Sequence, residues 1–495
     1  MKKVYITLGL IFINLALIPI FIGGPLTLAA FLAGVAMSLY FLAHAVISTK
    51  LERPRFIGDK AIPFLIFVLP LAISLIFSYE IQNVFERVLY SIVAFGLSMI
   101  TWHYVLLLPL AVYHKRLEER ERLKPLTYNP LVSVIIPARN EEKVIEHTIR
   151  SVLESDYEPL EVVVVDDAST DRTFEIALRY QGPKVKVLRK EVGGRGKARA
   201  LNFGLRFARG EVIVVVDADT IIGREAVKEL VRKLEDPTVA AVAGNVAVRN
   251  RVNLLTKLQA IEYIATFHLF RKGLSVLGAV PIVSGALGAF RRSVLEATGF
   301  YDVDTVTEDF DTTVKALKTG KIVQASAQAV AYTEVPETLR GLYRQRLRWY
   351  RGAFEVLLKH RDVFLRSPSF SHLRALSFPL VIMNNLVLPV VDLAAIASIG
   401  LALAKGLILP IVIQIVLFTI LQVLIIILVL QLAEEDKSLA IVPLFAFGYK
   451  QFHELLMLKC FFDVALRRKR KRSDEWTFIE RKGLEERAVS PLLNR

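Results

Sequence analysis

The chain has 495 residues, of which 54% are hydrophobic, and its mean hydropathy of +0.45 is too high for a soluble enzyme, so part of it is expected in lipid. The net charge of +15 could suggest nucleic acid, but the basic runs at 114–116 and 467–472 abut apolar stretches, as cytoplasmic anchors facing anionic lipid do. Membrane lipids are therefore predicted as partners, and nucleic acid is not. Cys460 is the only cysteine, which excludes an intrachain disulfide and a cysteine-rich metal site.

Apolar stretches of membrane-spanning length precede the polar part of the chain at residues 4–22, 25–47, 61–77 and 88–112. The first loop between them is uncharged, and the third carries two glutamates and one arginine. The second loop carries four basic residues: Lys50, Arg53, Arg55 and Lys60. Because basic loops stay inside the cell, the amino terminus and everything after Lys115 are predicted to be cytoplasmic, in a multi-pass protein of the cell membrane.

The polar block that follows has the pattern of an α/β domain. Short β-branched runs occur at 132–136, 161–165, 184–188 and 211–216. Helix-like segments alternate with them at 142–154, 171–180, 197–208 and 224–234. This alternation predicts a mostly parallel sheet with crossover helices on both faces and functional loops at the carboxyl ends of the strands.

Two further apolar stretches, 376–404 and 408–432, follow the polar block. Residues 439–466 are apolar but interrupted by polar side chains, and a crossing there would leave the basic run 467–472 outside, so a re-entrant or interfacial element is favoured. The predicted domains are four spans (1–113), a cytoplasmic linker (114–130), an α/β domain (131–361), an interface segment with two spans and a third membrane element (362–466), and a basic cytoplasmic tail (467–495).

Acidic residues follow two of the predicted strands. Asp217 and Asp219 come directly after the run 212–216, and at a strand end two carboxylates at this spacing can converge on Mg²⁺ or Mn²⁺. Taken alone, the motif is equally explained by an exposed loop or a helix cap. Asp167 follows the run 161–165. The simpler explanation of the polar residues there is a turn followed by a helix cap, which Ser169 or Asp171 could supply. Such capping would still leave Asp167 free to face a ligand.

A glycine-rich segment, 193–196, opens the helix that begins at Lys197. Small residues at a helix amino terminus favour a phosphate, and Lys197 adds a positive charge. The segment lacks the Gly-x-Gly-x-x-Gly spacing and follows the third strand rather than the first, so a dinucleotide-binding dehydrogenase is not indicated.

Two motifs lie later in the domain. Glu308 and Asp309 stand at the start of a helical run, where an acid is often only stabilised by the helix dipole. Gln345, Arg348 and Trp349 are spaced to share one face of a helix, which is either a solvated basic face with one buried tryptophan or a diphosphate clamp with a platform for a sugar.

Taken in order, these motifs resemble the family 2 inverting glycosyltransferases, in the membrane subgroup of cellulose, chitin, hyaluronan and poly-N-acetylglucosamine synthases. The matching residues are Pro137-Ala138-Arg139-Asn140-Glu141, Asp166-Asp167, Gly196-Lys197-Ala198, Asp217-Ala218-Asp219, Ser284-Gly285, Thr307-Glu308-Asp309, and Gln345, Arg348 and Trp349. The resemblance covers 132 to about 361 and implies a nucleotide-sugar-binding, GT-A-like fold inserted between transmembrane helical regions.

The resemblance also implies roles for the residues. Glu141 and Asp167 would hold the nucleobase, and Lys197 the diphosphate. Asp217 and Asp219 would hold the ribose-diphosphate and its metal, and Asp309 would be the general base. The remaining predicted substrate contacts are Ser284 and Gly285 near the acceptor, Glu308 beside the base, and Gln345, Arg348 and Trp349 at the diphosphate and acceptor sugar. Arg139 stands where relatives often have an aromatic residue, although a guanidinium can also stack on a base.

The predicted function is transfer of sugar from a nucleotide-diphosphate donor, most simply a UDP-sugar, to a growing β-linked polysaccharide that is exported. One alternative is transfer of a single sugar to a membrane lipid, because glucosylceramide synthases carry a similar Gln-x-x-Arg-Trp motif. The non-enzymatic alternative is a membrane binding or channel protein with a decayed nucleotide fold, against which the intact acids at 217, 219 and 309 argue.

Overall fold

The computed structural model describes residues 2–22, 25–48, 61–79, 81–193, 196–364, 368–434, 439 and 448–466. The chain divides into two compact units. The first contains residues 1–115, 264–277 and 374–459, and the second contains 116–263, 278–373 and 460–495. The predicted loops at 23–24 and 49–60, most of 439–448 and the predicted tail at 467–495 lie outside the described residues.

The first unit is built from apolar helices. Those before the polar block are α1 Lys2–Ile22, α2 Pro25–Ser48, α3 Ile62–Phe77 and α4 Val84–Arg122. Helix α4 continues through residues predicted to form a linker, because the segment 115–122 is rich in the good helix formers Glu, Lys, Arg and Leu. Among the described residues, four helices are long and apolar enough to cross a membrane: Pro25–Ala43, Val84–Arg122, Leu373–Ala404 and Ile411–Ala433. Two shorter apolar helices are Lys3–Ile18 and Ile62–Ile76.

The second unit contains an eight-stranded sheet of order β3-β2-β1-β4-β7-β6-β8-β5. Its strands are β1 Val132–Ala138, β2 Leu160–Asp166, β3 Val185–Arg189, β4 Val212–Val216, β5 Ile221–Ile222, β6 Val239–Val248, β7 Leu287–Arg291 and β8 Ile322–Thr333. Strands β1 to β4 are parallel, and β7 pairs antiparallel with both β4 and β6. The α/β, mostly parallel sheet predicted from the sequence is confirmed.

Helices cover both faces of the sheet, as predicted. The helices of the polar block are α5 Ile145–Leu153, α6 Thr173–Leu178, α7 Lys197–Leu205, α8 Ala226–Leu234, α9 Leu254–Ala265, α11 Arg292–Ala297, α12 Glu308–Lys318 and α13 Leu339–Lys359. Helix α10 Lys272–Val276, between α9 and α11 in sequence, belongs to the first unit. Alternate strand residues such as Val134 and Val162 form a core with side chains of α5 and α8. Gly204 of α7 lies against Ile135 and Val165, which point to the opposite face.

After the α/β domain, the described helices are α14 Phe378–Ile382, α15 Leu388–Ala404, α16 Ile408–Ala433 and α17 Tyr449–Ala465. Short π-helical turns at Leu373–Ser377 and Met383–Val387 flank α14. Helix α17 occupies most of the segment predicted to be re-entrant or interfacial. Whether that segment crosses a membrane stays a prediction.

Candidate active site

The sheet brings several of the predicted site residues to one edge. Ala138 at the end of β1 pairs with Asp166 at the end of β2, and Ile135 of β1 pairs with Val215 of β4. These parallel strands therefore end together. Strand β7 runs the other way and its first residue, Leu287, pairs with Val216, so the loop that precedes β7 reaches the same edge.

Asp167 lies in a buried, basic environment at this edge. Its side chain is fully buried, forms an ion pair with Lys190, and has Arg139 Nη1 at 3.9 Å. Gly193 packs directly on the Asp167 carbonyl, where a larger residue would collide. Lys190 was not predicted from the sequence. The feature that could have indicated it is its position immediately after β3, because β3 is parallel to β2 and ends at the same edge of the sheet.

The loops after β1 and β2 are tied together by Asn140, whose φ of 54° is in the left-handed region. The backbone N–H of Asn140 donates to Ser169 Oγ at 3.0 Å, and the side-chain Oδ1 of Asn140 accepts the backbone N–H of Thr170 at 2.8 Å. The Glu141 amide donates to Thr173 Oγ1 at 2.7 Å. Asp171 Oδ1 accepts the backbone amide of Thr173, the first residue of α6, so Asp171 forms a local turn there, whereas Arg172 at the helix cap makes no side-chain capping hydrogen bond.

Lys197 contacts two other predicted site residues, Asp217 and Glu308. It is the first residue of α7, and its ammonium forms an ion pair with Asp217 Oδ1 and lies 3.4 Å from Glu308 Oε1. Burial by itself would lower the pKa of Lys197, but the negative charges of Asp217 and Glu308 outweigh it and raise the pKa, so the lysine is a permanent cation. Burial raises the pKa of Glu308, and Lys197 opposes that shift.

The carboxylate of Asp309 is held by two backbone amides. Phe310 N donates to Oδ1 at 2.8 Å and Gly285 N donates to Oδ2 at 3.4 Å. The amide of Val283 also donates to Thr313 Oγ1 of α12 at 2.9 Å, so the loop that carries Ser284 and Gly285 is docked on the first turns of that helix. Gly285 lies so close to the Lys197 ammonium that a side chain at this position would collide with it. The loop, the lysine and the acids of α12 are therefore in one place.

Helix α13 carries the last motif. Gln345 is buried, and its Oε1 accepts no hydrogen bond from any described residue, whereas Arg348 and Trp349 are half-buried. Gly352, one turn after Trp349, lies so close to Thr307 that a β-carbon there would be 2.5 Å from Thr307 Cγ2. This contact sets the helix against the residue that precedes Glu308 and Asp309. No direct contact between Gln345, Arg348 or Trp349 and those acids is found in the described part of the chain.

Arg346 was not singled out from the sequence. Its side chain is fully buried, donates to Glu262 Oε2 at 2.9 Å, and lies over the Trp349 ring at 4.2 Å from the ring centre. The only sequence signal is its i, i+3 spacing to Trp349. One face of the indole is therefore covered by a guanidinium.

A divalent metal fits the donor set at the end of β4. Asp217 and Asp219 supply carboxylate oxygens, which Mg²⁺ and Mn²⁺ prefer, and the Lys197 ammonium on Asp217 shows that this carboxylate already attracts a cation. No cluster of three or more Asp, Glu, His or Cys side chains suited to a metal is found among the described residues. Two protein ligands are typical of sites where bound phosphates complete the coordination.

Known proteins resemble this chain over the α/β domain. The sequence model of glycosyl transferase family 2 matches residues 133–299. Poly-β-1,6-N-acetyl-D-glucosamine synthase of Staphylococcus aureus (strain COL) is 33% identical over 253 residues, which are 51% of this chain and 60% of the relative. The synthase of the same name from Staphylococcus epidermidis is 34% identical over 230 residues, 46% of this chain and 56% of the relative. The chain thus spans about 60% of the length of these relatives.

A solved structure matches over a longer part of the chain. Mannosyltransferase PcManGT from Pyrobaculum calidifontis, in complex with GDP-Man and Mn²⁺, is 26% identical, with a TM-score of 0.52. The match covers 76% of this chain and all of that one. The GT-A-like fold implied by the sequence motifs is confirmed.

Proposed function

We propose that the chain transfers sugar from a nucleoside diphosphate sugar to a growing β-linked polysaccharide, and the premise is the match of residues 133–299 to the sequence model of glycosyl transferase family 2. The observation that carries the proposal is the Lys197 ammonium, set between Asp217 and Glu308 next to the amide-bound Asp309 carboxylate. A buried permanent cation suits a diphosphate leaving group, and a fixed carboxylate beside it suits a base. The polysaccharide synthases named above support a polymeric product.

In the proposed reaction, an acceptor hydroxyl attacks the anomeric carbon of the donor and the bond from that carbon to the diphosphate breaks. Asp309 takes the hydroxyl proton, and Lys197 and Arg348 stabilise the charge on the departing diphosphate. A single base without a covalent intermediate gives inversion at the anomeric carbon. A Mg²⁺ or Mn²⁺ ion on Asp217 and Asp219 would supply further charge neutralisation to the diphosphate.

The other predicted residues are proposed to bind the two substrates. Glu141 and Asp167 lie on neighbouring loops tied by Asn140 and are assigned to the nucleobase. Ser284 and Gly285 are assigned to the acceptor side of Asp309. Gln345, with its buried amide oxygen, is assigned to the diphosphate together with Arg348, and the half-buried Trp349 to the acceptor sugar.

The comparisons support two candidate donors. The names of the synthases above support transfer of N-acetylglucosamine, and a UDP-linked N-acetylhexosamine is proposed as the first donor. The mannosyltransferase structure is matched along its entire length by 76% of this chain, and it supports GDP-mannose as the second candidate donor. Transfer of a single sugar to a lipid, the alternative raised from the sequence, is not favoured by the names of the similar proteins.

The α/β domain is proposed to lie in the cytoplasm, and the protein is proposed to be anchored in the cell membrane by several membrane-spanning helices. The support is the distribution of basic residues around the apolar stretches and the four helices of membrane-spanning length. Nucleotide sugars are made in the cytoplasm, so the polymer has to leave that side. A hydroxyl-rich chain cannot cross lipid unaided, because its hydrogen bonds to water would be lost. Synthesis and export are therefore proposed to be coupled.

The full-length chain in detergent or liposomes should be incubated with Mn²⁺ and a panel of UDP- and GDP-sugars while released nucleoside diphosphate is measured. One donor should give release that depends on enzyme concentration, and Asp309→Asn protein prepared in the same way should give about 10²–10⁴-fold less. If no donor in the panel gives release above that of the Asp309→Asn protein, the assignment as a glycosyltransferase is wrong.

A further inference from the structure

Tyr301 carries a buried hydroxyl that no protein group satisfies. The side chain is 3% exposed, and its hydroxyl makes no hydrogen bond to any described residue. It lies in the segment between α11 and α12, seven residues before Glu308. Leaving a buried hydroxyl unpaired costs stability, so such groups are rare and call for an explanation.

The rest of Tyr301 is firmly held. Asn202 of α7 donates from Nδ2 to the Tyr301 carbonyl at 2.7 Å and accepts the Tyr301 amide at 3.1 Å. Its ring packs edge-to-face on Phe290, with the ring centres 6.3 Å apart. Every one of these contacts would be made equally well by phenylalanine. The hydroxyl is therefore not needed to build the substrate-free structure.

The neighbours of Tyr301 join it to both helices of the site. Lys315 of α12 donates to the Phe300 carbonyl at 2.6 Å and forms an ion pair with Asp302 at 2.8 Å. Tyr301 is thus fixed between the helix that starts with Lys197 and the helix that starts with Glu308.

The charges of those helices act on the phenol. Burial raises the pKa of Tyr301, the Lys197 charge lowers it, and the charges of Glu308 and Asp309 add to the rise. Because the net shift is upward, the hydroxyl stays protonated and is a hydrogen-bond donor at any physiological pH. The negative charges that act on it belong to Glu308 and Asp309 of α12, whose carboxylate oxygens can accept a hydrogen bond.

We propose that Tyr301 is a positioning residue whose hydroxyl donates to the Glu308 carboxylate when a bound nucleoside diphosphate draws the Lys197 ammonium away. This rests on the proposed function, in which Lys197 binds the diphosphate. In the substrate-free structure Lys197 is the cation that balances Glu308, at 3.4 Å. A buried carboxylate that loses its cation is strongly destabilised, and a neutral donor already in place reduces that loss. The hydroxyl therefore stabilises the nucleotide-bound state and not the free one.

The test is Tyr301→Phe in the full-length chain, with UDP and GDP, each with Mn²⁺, as probes. In the absence of nucleotide the melting temperature should be unchanged or higher, because an unpaired hydroxyl is removed. The dissociation constant of whichever nucleotide binds the unaltered chain should rise about tenfold, the effect of one lost hydrogen bond to a charged group. Equal affinity for both proteins, or a clear loss of stability without nucleotide, would overturn the proposal.

Tyr157→Phe is the matched control. Tyr157 is also 3% exposed, but its hydroxyl donates to the Pro130 carbonyl at 2.6 Å, beside the amino-terminal ends of β1 and β2. Its loss should lower the melting temperature and leave nucleotide affinity within about twofold. The two variants thus have opposite expected signatures.

A double-mutant cycle identifies the acceptor of the hydrogen bond. In a Glu308→Gln background the carboxylate is gone, so adding Tyr301→Phe should change nucleotide affinity by less than about twofold. A tenfold loss that persists in this background would show that the hydroxyl does not act through Glu308. If the unaltered chain binds neither UDP nor GDP, the proposed function itself is wrong, which is a different outcome from equal binding by both proteins.

Discussion

The packing of α13 on the Thr307-Glu308-Asp309 motif predicts a large effect of a single methyl group at Gly352. A β-carbon at this position would lie 2.5 Å from Thr307 Cγ2 and 2.7 Å from Thr307 Oγ1. Ordinary contact begins at 3.4 Å, so Thr307 or the helix has to move by about 0.9 Å, the difference between 3.4 and 2.5. Thr307 is β-branched and therefore restricted in χ1, so the displacement is expected to pass to the adjacent Glu308 and Asp309.

The magnitude follows from two opposing contributions. Overpacking costs about 1–3 kcal/mol, whereas replacing a helical glycine by alanine returns about 0.5–1 kcal/mol, so Gly352→Ala should lower the free energy of unfolding by only about 0–2.5 kcal/mol. Misplacement of a base by about 1 Å is expected to lower transfer by up to about 10²-fold. Activity should therefore fall much more than stability.

The assay is the initial rate of nucleoside diphosphate release by Gly352→Ala protein, together with its melting temperature. Gly182→Ala is the control, since a β-carbon at Gly182 meets only the Tyr180 carbonyl, at 3.8 Å. A Gly352→Ala protein with the turnover number of the unaltered chain would refute the view that α13 fixes the position of Asp309.

Further predictions concern the base, the metal, the acceptor platform and export. Asp309→Asn should lower the rate of transfer by about 10²–10⁴-fold while nucleotide binding persists, and near-normal turnover would remove Asp309 from the mechanism. Excess chelator should abolish release, with Mn²⁺ or Mg²⁺ restoring it and Ca²⁺ restoring it poorly, and full activity in chelator would contradict a metal on Asp217 and Asp219. Trp349→Ala should raise the acceptor concentration needed for half-maximal rate more than the donor concentration, and an equal rise for both would argue against a sugar platform. Sealed vesicles with the α/β domain outside should accumulate product protected from an added glycosidase, and fully digestible product would count against coupled export.

Strands β1, β2 and β4 were predictable because each is a short run rich in β-branched residues that is buried on both faces of the sheet. Strand β3, at the edge of the sheet, is only partly buried. Strands β6 and β8 were not predicted. They are rich in alanine, which has low strand propensity, and they pair with each other across about 80 residues of sequence. Their stability comes from burial and pairing within the finished sheet, which no local pattern in the sequence contains.

The acidic residues of the site were predictable because each follows a strand or starts a helix at the same edge. Lys197, which contacts two of these acids, was predicted too, but other basic and neutral neighbours were not. Lys190 pairs with Asp167 only because β3 and β2 end together, and Arg346 is buried only because Glu262 lies opposite it. Tyr301 belongs to none of the sequence motifs. Its position depends on contacts from α7 and α12, two helices that are distant from each other in sequence.

The size of the product tests the central claim most directly. The full-length chain, supplied with the radiolabelled form of the donor that gives nucleoside diphosphate release, should make a product that migrates on a gel as a polymer of many sugar units. That polymer should be absent with Asp309→Asn protein and should be cut by a glycosidase specific for the β-linkage of the transferred sugar. A product that consists only of lipid carrying one sugar, or label that never leaves the nucleotide, would contradict the account of this chain as a polysaccharide synthase.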